Sequence, residues 1–205
     1  ISITEYDIDT LLKPYNWVKD AVIHIFGRMI EKNINESDSN AKKKILFVAP
    51  CTVQLIRFFE FEDAVKDCVQ NLKIDNFEVV FFPITNGTSF TSRGNHWSLI
   101  IYLTSENKFL YCDSIYSHRD IPMAQSLIKK LELFLNLPKA DFLDTDLPGQ
   151  TNSYDCGVFI MAYMEYFAKN GSFNNIDNYI HQQNMSELRK NYSQQIKNAG
   201  FDNQT

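Results

Sequence analysis

A chain of 205 residues with 44% hydrophobic side chains is long enough for a substantial core and too apolar for a disordered segment. Its net charge of −5 argues against a nucleic-acid binder, which needs a basic face to neutralise phosphates, and no apolar run approaches the roughly 18 residues of a membrane span. The four cysteines, Cys51, Cys68, Cys112 and Cys156, form no CxxC pair and no Cys/His cluster, so neither a metal site nor a disulfide framework is indicated and a reducing compartment is the simplest reading.

In chain order, the opening ISITEYDIDT is acidic and lacks the basic and apolar regions of a signal peptide. It also lacks an initiator Met, which is expected of a fragment or processed chain. Trp17 to about Glu31 has helical periodicity, and the polar stretch Lys32–Lys44 reads as a loop. Residues 45–48 (ILFV) suit either a short strand or the approach to a helix, and a helix is expected after Pro50. The apolar run EVVFFPI, residues 78–84, is a strand. Residues 97–103 and 108–113 form a hairpin about a polar turn. A polar loop, Thr85–Asn95, precedes that hairpin. An amphipathic helix is expected over Pro122–Asn136 and a strand over Asp141–Leu147. Val158–Ala168 is apolar nearly all round, as a buried central helix would be. Residues 184–205 read as a polar helical tail that frays. The sum is one α+β domain over residues 1–205, a mixed sheet packed against a helix that opens at Cys156.

Cys156 lies in N-S-Y-D-C-G, directly ahead of the apolar helix, with Asn152, Ser153 and Asp155 as cap candidates. A thiol in a helix's first turn faces unpaired N–H groups and the positive end of the dipole, both of which favour thiolate. Gly157 is read as leaving room for a substrate backbone. Cys51, Cys68 and Cys112 are read as ordinary buried residues. A nucleophilic thiol needs a base and the base an orienting acceptor. Of the histidines, His24, His118 and His181 have ordinary settings, whereas folding the hairpin puts His96 opposite Asp113 within a residue or two. The hairpin alone leaves open a chance cross-strand pair. Gln150, six residues before Cys156, is either an oxyanion donor or a solvated loop residue. Trp17 and Trp97, the two tryptophans of the chain, are either core residues or the walls of a slot that admits only a peptide without side chains, such as Gly-Gly.

The ordered set H-W, an Asp seventeen residues beyond the His, and Q-x-N-S-x-D-C-G before an apolar helix resembles the ubiquitin-like-protein-specific cysteine proteases. That family includes the SUMO and neddylation-modifier proteases and has distant kin in the adenoviral protease. The segments ILFVAPCTVQLIRF, NHWSLIIYL and QTNSYDCGVFIM are similar to the deneddylase branch. The resemblance implies a papain-like or adenain-like fold and an isopeptidase or processing peptidase that cleaves after a terminal Gly-Gly. It implies catalytic roles for His96, Asp113, Gln150 and Cys156, a tail clamp made by Trp17 and Trp97, and an acidic tail contact at Asp20. No cofactor or metal is implied. The expected partner is the neddylation modifier, with ubiquitin or SUMO as alternatives, met in the cytoplasm or nucleus, or in a host cytosol for a bacterial effector. An acetyltransferase on the same scaffold and an idle modifier-binding module are competing functions.

Overall fold

The structure, a computed structural model, describes residues 3–36, 44–59, 62–92, 94–115 and 119–199. The elements run α1 (Glu5–Leu12), α2 (Asp20–Glu36), β1 (Ile45–Phe47), α3 (Pro50–Phe58) and α4 (Glu62–Asn71). There follow β2 (Val79–Thr85), β3 (Trp97–Leu103), β4 (Lys108–Cys112), α5 (Ile121–Leu135), β5 (Asp141–Asp144), α6 (Cys156–Asn170) and α7 (Met185–Asn198). The five strands form one sheet in chain order. The central strands β2, β3 and β4 are antiparallel, while β1 and β5 join the edges in parallel. This is the α+β mixed sheet expected of the sequence.

Both faces of the sheet are covered, and the strand sequences say why. Val79, Phe81, Leu99, Ile101 and Leu110 point into one apolar cluster with α2 and α6. Their strand neighbours Val80, Phe82, Ile100, Tyr102 and Phe109 point into a second, with α3, α4 and α5. Strands buried on both faces read as continuous apolar runs instead of alternating ones. Pro83 sits past the last β1 pair, Phe47 with Phe81, where that edge of β2 has no ladder left to interrupt.

In α6 every residue from Cys156 to Met164 is buried. Each large apolar side chain so placed contributes roughly 1.5–3 kcal/mol, which outweighs the few tenths that separate Phe, Ile or Tyr from better helix formers. The helix ends at Gly171, whose φ of 70° suits a residue without a Cβ.

Three boundaries differ from expectation: β5 stops at Asp144 and not at Leu147, and the other two are the ends of the second helix. The second helix starts at Asp20, not Trp17, leaving Trp17 and Val18 on the segment that leads into it. It then runs on to Glu36, so Lys32–Glu36 are helix and not loop. The Asn35 side chain explains the extension: it donates to the Ile45 carbonyl and accepts from the Ile45 N–H, both at 2.9 Å, tying the helix end to the start of β1. Residues 37–43 of the expected loop lie outside the described residues. Helices α1 and α4 had no counterpart in the sequence reading. The first is set by a capping box in which Thr4 and Asp7 exchange bonds.

Candidate active site

The hairpin brings the imidazole and its acceptor together. Leu99 pairs with Cys112 and Leu103 with Lys108, so the register carried one step on sets Ser98 against Asp113. His96 is then one diagonal step further along the same face, within reach of a long side chain. Its Nε2 lies 2.6 Å from Asp113 Oδ1. Asp113 is itself held: the Tyr111 hydroxyl donates to its Oδ2 and the Ile115 N–H to its Oδ1, both at 2.9 Å. Burial, then the neighbouring Asp113 charge, raises the Tyr111 pKa, so the phenol remains a neutral donor. Tyr111 was not singled out in the sequence, although its place two residues before Asp113 puts it on the same strand face.

Cys156 is the first residue of α6 and is 2% exposed. Its side chain lies near enough to His96 to act on the ionisation of the imidazole. Burial opposes a charge on the imidazole, but the hydrogen bond to Asp113, the nearby Cys156 and the charges of both prevail. They push the His96 pKa up to about 10. The arrangement favours a protonated imidazole beside the Asp113 carboxylate and the Cys156 sulfur, a proton donor within the site. Among the described residues, His96, Asp113 and Asp120 form the one group able to offer three ligand atoms to a cation, all within 4.8 Å. An ion there would compete with the imidazole proton for Asp113.

Gly157 plays a different part from the one expected. A Cβ at this position would lie 2.6 Å from Cβ of Val18. The missing side chain therefore lets α6 close on the segment before α2, and Val18, not substrate, fills the space. Asp155 ends the turn ahead of Cys156, but its carboxylate caps nothing. It accepts from Asn152, Gln182 and Arg189. Gln150 accepts from Ser114 Oγ at 2.7 Å and donates from Nε2 to the Asn152 carbonyl at 2.5 Å. One amide hydrogen is so engaged, and the second is left to the amide's free side.

A cleft of about 560 Å³ is lined by Trp17, Asp20, Phe90, His96, Trp97 and Cys156 among others, and Gln150 is not among its lining residues. Trp97 donates its indole N–H to the Val18 carbonyl at 3.1 Å, and Trp17 donates to Ser153 at 2.8 Å. Trp17 is 50% exposed, not a core residue. Asp20 is exposed at the start of α2. The loop of residues 85–95 supplies one bank of the cleft. Its base is stapled by Asn86, whose Oδ1 accepts from the N–H groups of Asn95 and His96 at 2.8 and 3.2 Å. Gly94 makes this closure possible. Its φ is 64°, and a Cβ there would meet Thr85 Oγ1 at 2.2 Å. Arg57 of α3 donates to the carbonyls of Thr85 and Gly87. Of these, only the turn-forming N-G at 86–87 left a trace in the sequence.

The remaining candidates separate cleanly. Cys112 is buried, and burial pushes its thiol up to about 12. Cys68 is half-buried, but Cys51 is exposed and lines the same cleft as Cys156, contrary to its reading as a buried residue. Pro50 ahead of it opens a helix with only Val53 and Ile56 turned fully inward beyond the proline. His24 lies on α2 against Phe47, and His181 is exposed beside a short 3₁₀ turn. His118 lies outside the described residues.

Comparison with known proteins matches residues 16–203 to the Ulp1 protease family, C-terminal catalytic domain. The chain is 31% identical over 163 residues to sentrin-specific protease 8 from Homo sapiens, covering 78% of this chain and 75% of that protein. It is 27% identical over 175 residues to NEDD8-specific protease 1 from Arabidopsis thaliana, covering 82% and 74%. In fold it resembles the yeast Ulp1 protease domain solved in complex with SMT3, the yeast ortholog of SUMO. The TM-score is 0.70 at 18% identity, and 98% of each chain is covered.

Proposed function

The chain belongs to the Ulp1 protease family of cysteine proteases that act on ubiquitin-like modifiers, and on that premise we propose that it cleaves after the C-terminal Gly-Gly of the neddylation modifier. The observation that carries this reading is the His96–Asp113 hydrogen bond beside a cleft that His96 and Cys156 line together with both tryptophans. One catalytic domain supplies all of it.

The Cys156 thiolate attacks the carbonyl carbon of the terminal glycine. Negative charge collects on the carbonyl oxygen, where the N–H groups at the start of α6 and the free amide hydrogen of Gln150 offset it. The tetrahedral carbon then expels the amine, which takes its proton from His96, and a thioester remains on Cys156. His96, now neutral, removes a proton from water as the water attacks the thioester. The modifier leaves with a free carboxylate, and the Cys156–His96 pair is restored. Asp113 keeps the imidazole in one orientation through both halves.

Trp17 and Trp97 flank the tail, so residues next to the cleaved bond must lack side chains. Asp20 at the cleft rim pairs with a basic tail residue. No helix among the described residues is long and apolar enough to cross a membrane. Modifier conjugates place the work in the cytoplasm or nucleus, or in a host cytosol for a secreted effector. The choice of modifier is supported by relatives named for NEDD8; SUMO and ubiquitin are the competing substrates.

The test is kcat/KM on matched C-terminal fluorophore conjugates of the three modifiers, with and without acetyl-CoA. The neddylation modifier should be cleaved fastest and acetyl-CoA should change nothing. Equal or faster cleavage of SUMO or ubiquitin overturns the modifier choice. Acetyl transfer without hydrolysis, or binding without turnover, overturns the peptidase.

A further inference from the structure

The turn that presents Cys156 and the segment that presents Trp17 share one side chain, and it belongs to neither. Arg189 lies on α7 and is 4% exposed. Its Nε donates to Asp155 Oδ1 at 2.9 Å, one residue before the nucleophile. One terminal nitrogen donates to the Leu11 carbonyl at 3.0 Å. The other donates to the carbonyls of Asn16 and Tyr154 at 2.9 and 3.1 Å. So the same planar group holds the residue before Trp17 and the two residues before Cys156. Trp17 closes the ring by donating to Ser153.

We propose that Arg189 is a positioning residue for the cleavage reaction, setting the Trp17 wall of the slot and the Cys156 thiol in a single register. This rests on the roles given above to Trp17 and Cys156. The geometry is specific to arginine. A guanidinium presents five donors in a rigid fork, and here the fork reaches four acceptors on three separate stretches of chain. A lysine keeps the charge opposite Asp155 but cannot span the Asn16 and Tyr154 carbonyls at the same time as that of Leu11. Arg189 reaches neither His96 nor Asp113, so it governs where the sulfur sits relative to the threaded tail and not how readily the sulfur ionises.

That separation makes the test. In the wild-type chain, a modifier–fluorophore conjugate gives kcat and KM, and iodoacetamide gives the rate of Cys156 alkylation against pH, with the modified cysteine located by peptide mapping. Failure of the wild type to cleave, or alkylation that spares Cys156, sinks the underlying site reading and not this inference alone. With the wild type behaving as expected, Arg189→Lys should lower kcat by about 10- to 100-fold, since a displacement near 1 Å costs on that order. KM should change less than about three-fold, and the alkylation profile should keep its wild-type midpoint. The paired change Asp155→Asn with Arg189→Met removes the hub without stranding a buried charge and should give the same split in a chain that still melts cooperatively. Wild-type kcat in both variants overturns the proposal. So does a fall in kcat matched by an equal fall in alkylation rate, which marks general loosening of the fold.

Discussion

The two halves of the site are built by different means. The proposed base side, His96 with Asp113, hangs on one β-hairpin, and its partners lie seventeen residues apart in sequence. The proposed nucleophile side, Cys156 with its turn, hangs on contacts between segments remote in sequence, from Leu11 to Arg189. A hairpin fixes its register from its own turn and pattern, so the base side is prepared locally. The nucleophile side is correct only when distant segments have already met.

The largest effect that would sharpen this contrast is loss of the nucleophile. Cys156→Ala should abolish cleavage while the chain still binds modifier, and a modifier with an electrophilic C-terminus should label Cys156 alone. Cys51 makes this a demanding check, because it is exposed in the same cleft but is not among the groups that act on His96. Labelling at Cys51, found by peptide mapping, would mean that access and not activation selects the thiol.

Next in size is Gln150→Ala, expected to lower kcat by about 10²–10³-fold if its free amide hydrogen meets the oxyanion. An unchanged kcat would leave Gln150 as a strut between Ser114 and Asn152, which its present bonds already make it.

Asp113→Asn tests the base side by pH. Wild-type His96 is held up to about 10, so cleavage should persist well into the alkaline range and fall only as the imidazole loses its proton there. Removing the carboxylate removes the hydrogen bond that does most to raise that value, so the alkaline limb should move down toward the ordinary histidine range near 6.5. The stability linkage has the same sign. A raised folded-state pKa stabilises the protein fully below about 6.5. That contribution is lost as pH climbs toward 10, and melts across this window should show less of the loss in Asp113→Asn. An alkaline limb that stays put would break the link between hairpin and base.

The smallest effect is Asp20→Ala. An exposed rim charge alters association and its salt dependence more than chemistry, so kcat/KM should fall severalfold at low salt with kcat preserved. A fall in kcat would place Asp20 deeper in the reaction than its exposure suggests.

The same contrast decides what could be read from sequence. His96, Asp113 and the central strands follow from local pattern: continuous apolar runs, a polar turn and a count of residues across it. Cys156 is legible for a similar reason, being a polar turn followed by a helix with no polar face. Arg189 left no signal, because nothing in S-E-L-R-K distinguishes a buried arginine from a solvated one. The part taken by Gly157 was misread since its neighbour Val18 is remote in sequence. The early start given to the second helix has the same root. Trp17 and Val18 continue its apolar periodicity but are spent on tertiary contacts instead, with Trp17 bonded to Ser153 and Val18 to Trp97.

The reach of Arg189 also bears on when activity begins. During synthesis the hairpin and the central helix emerge well before α7, so base and nucleophile are both out of the ribosome while the turn between them and the Trp17 segment is still unanchored. Contacts separated by this much chain are slow to form, because loop closure must precede them. The bonds that join the Trp17 segment to the turn before Cys156 are therefore complete only once α7 has docked.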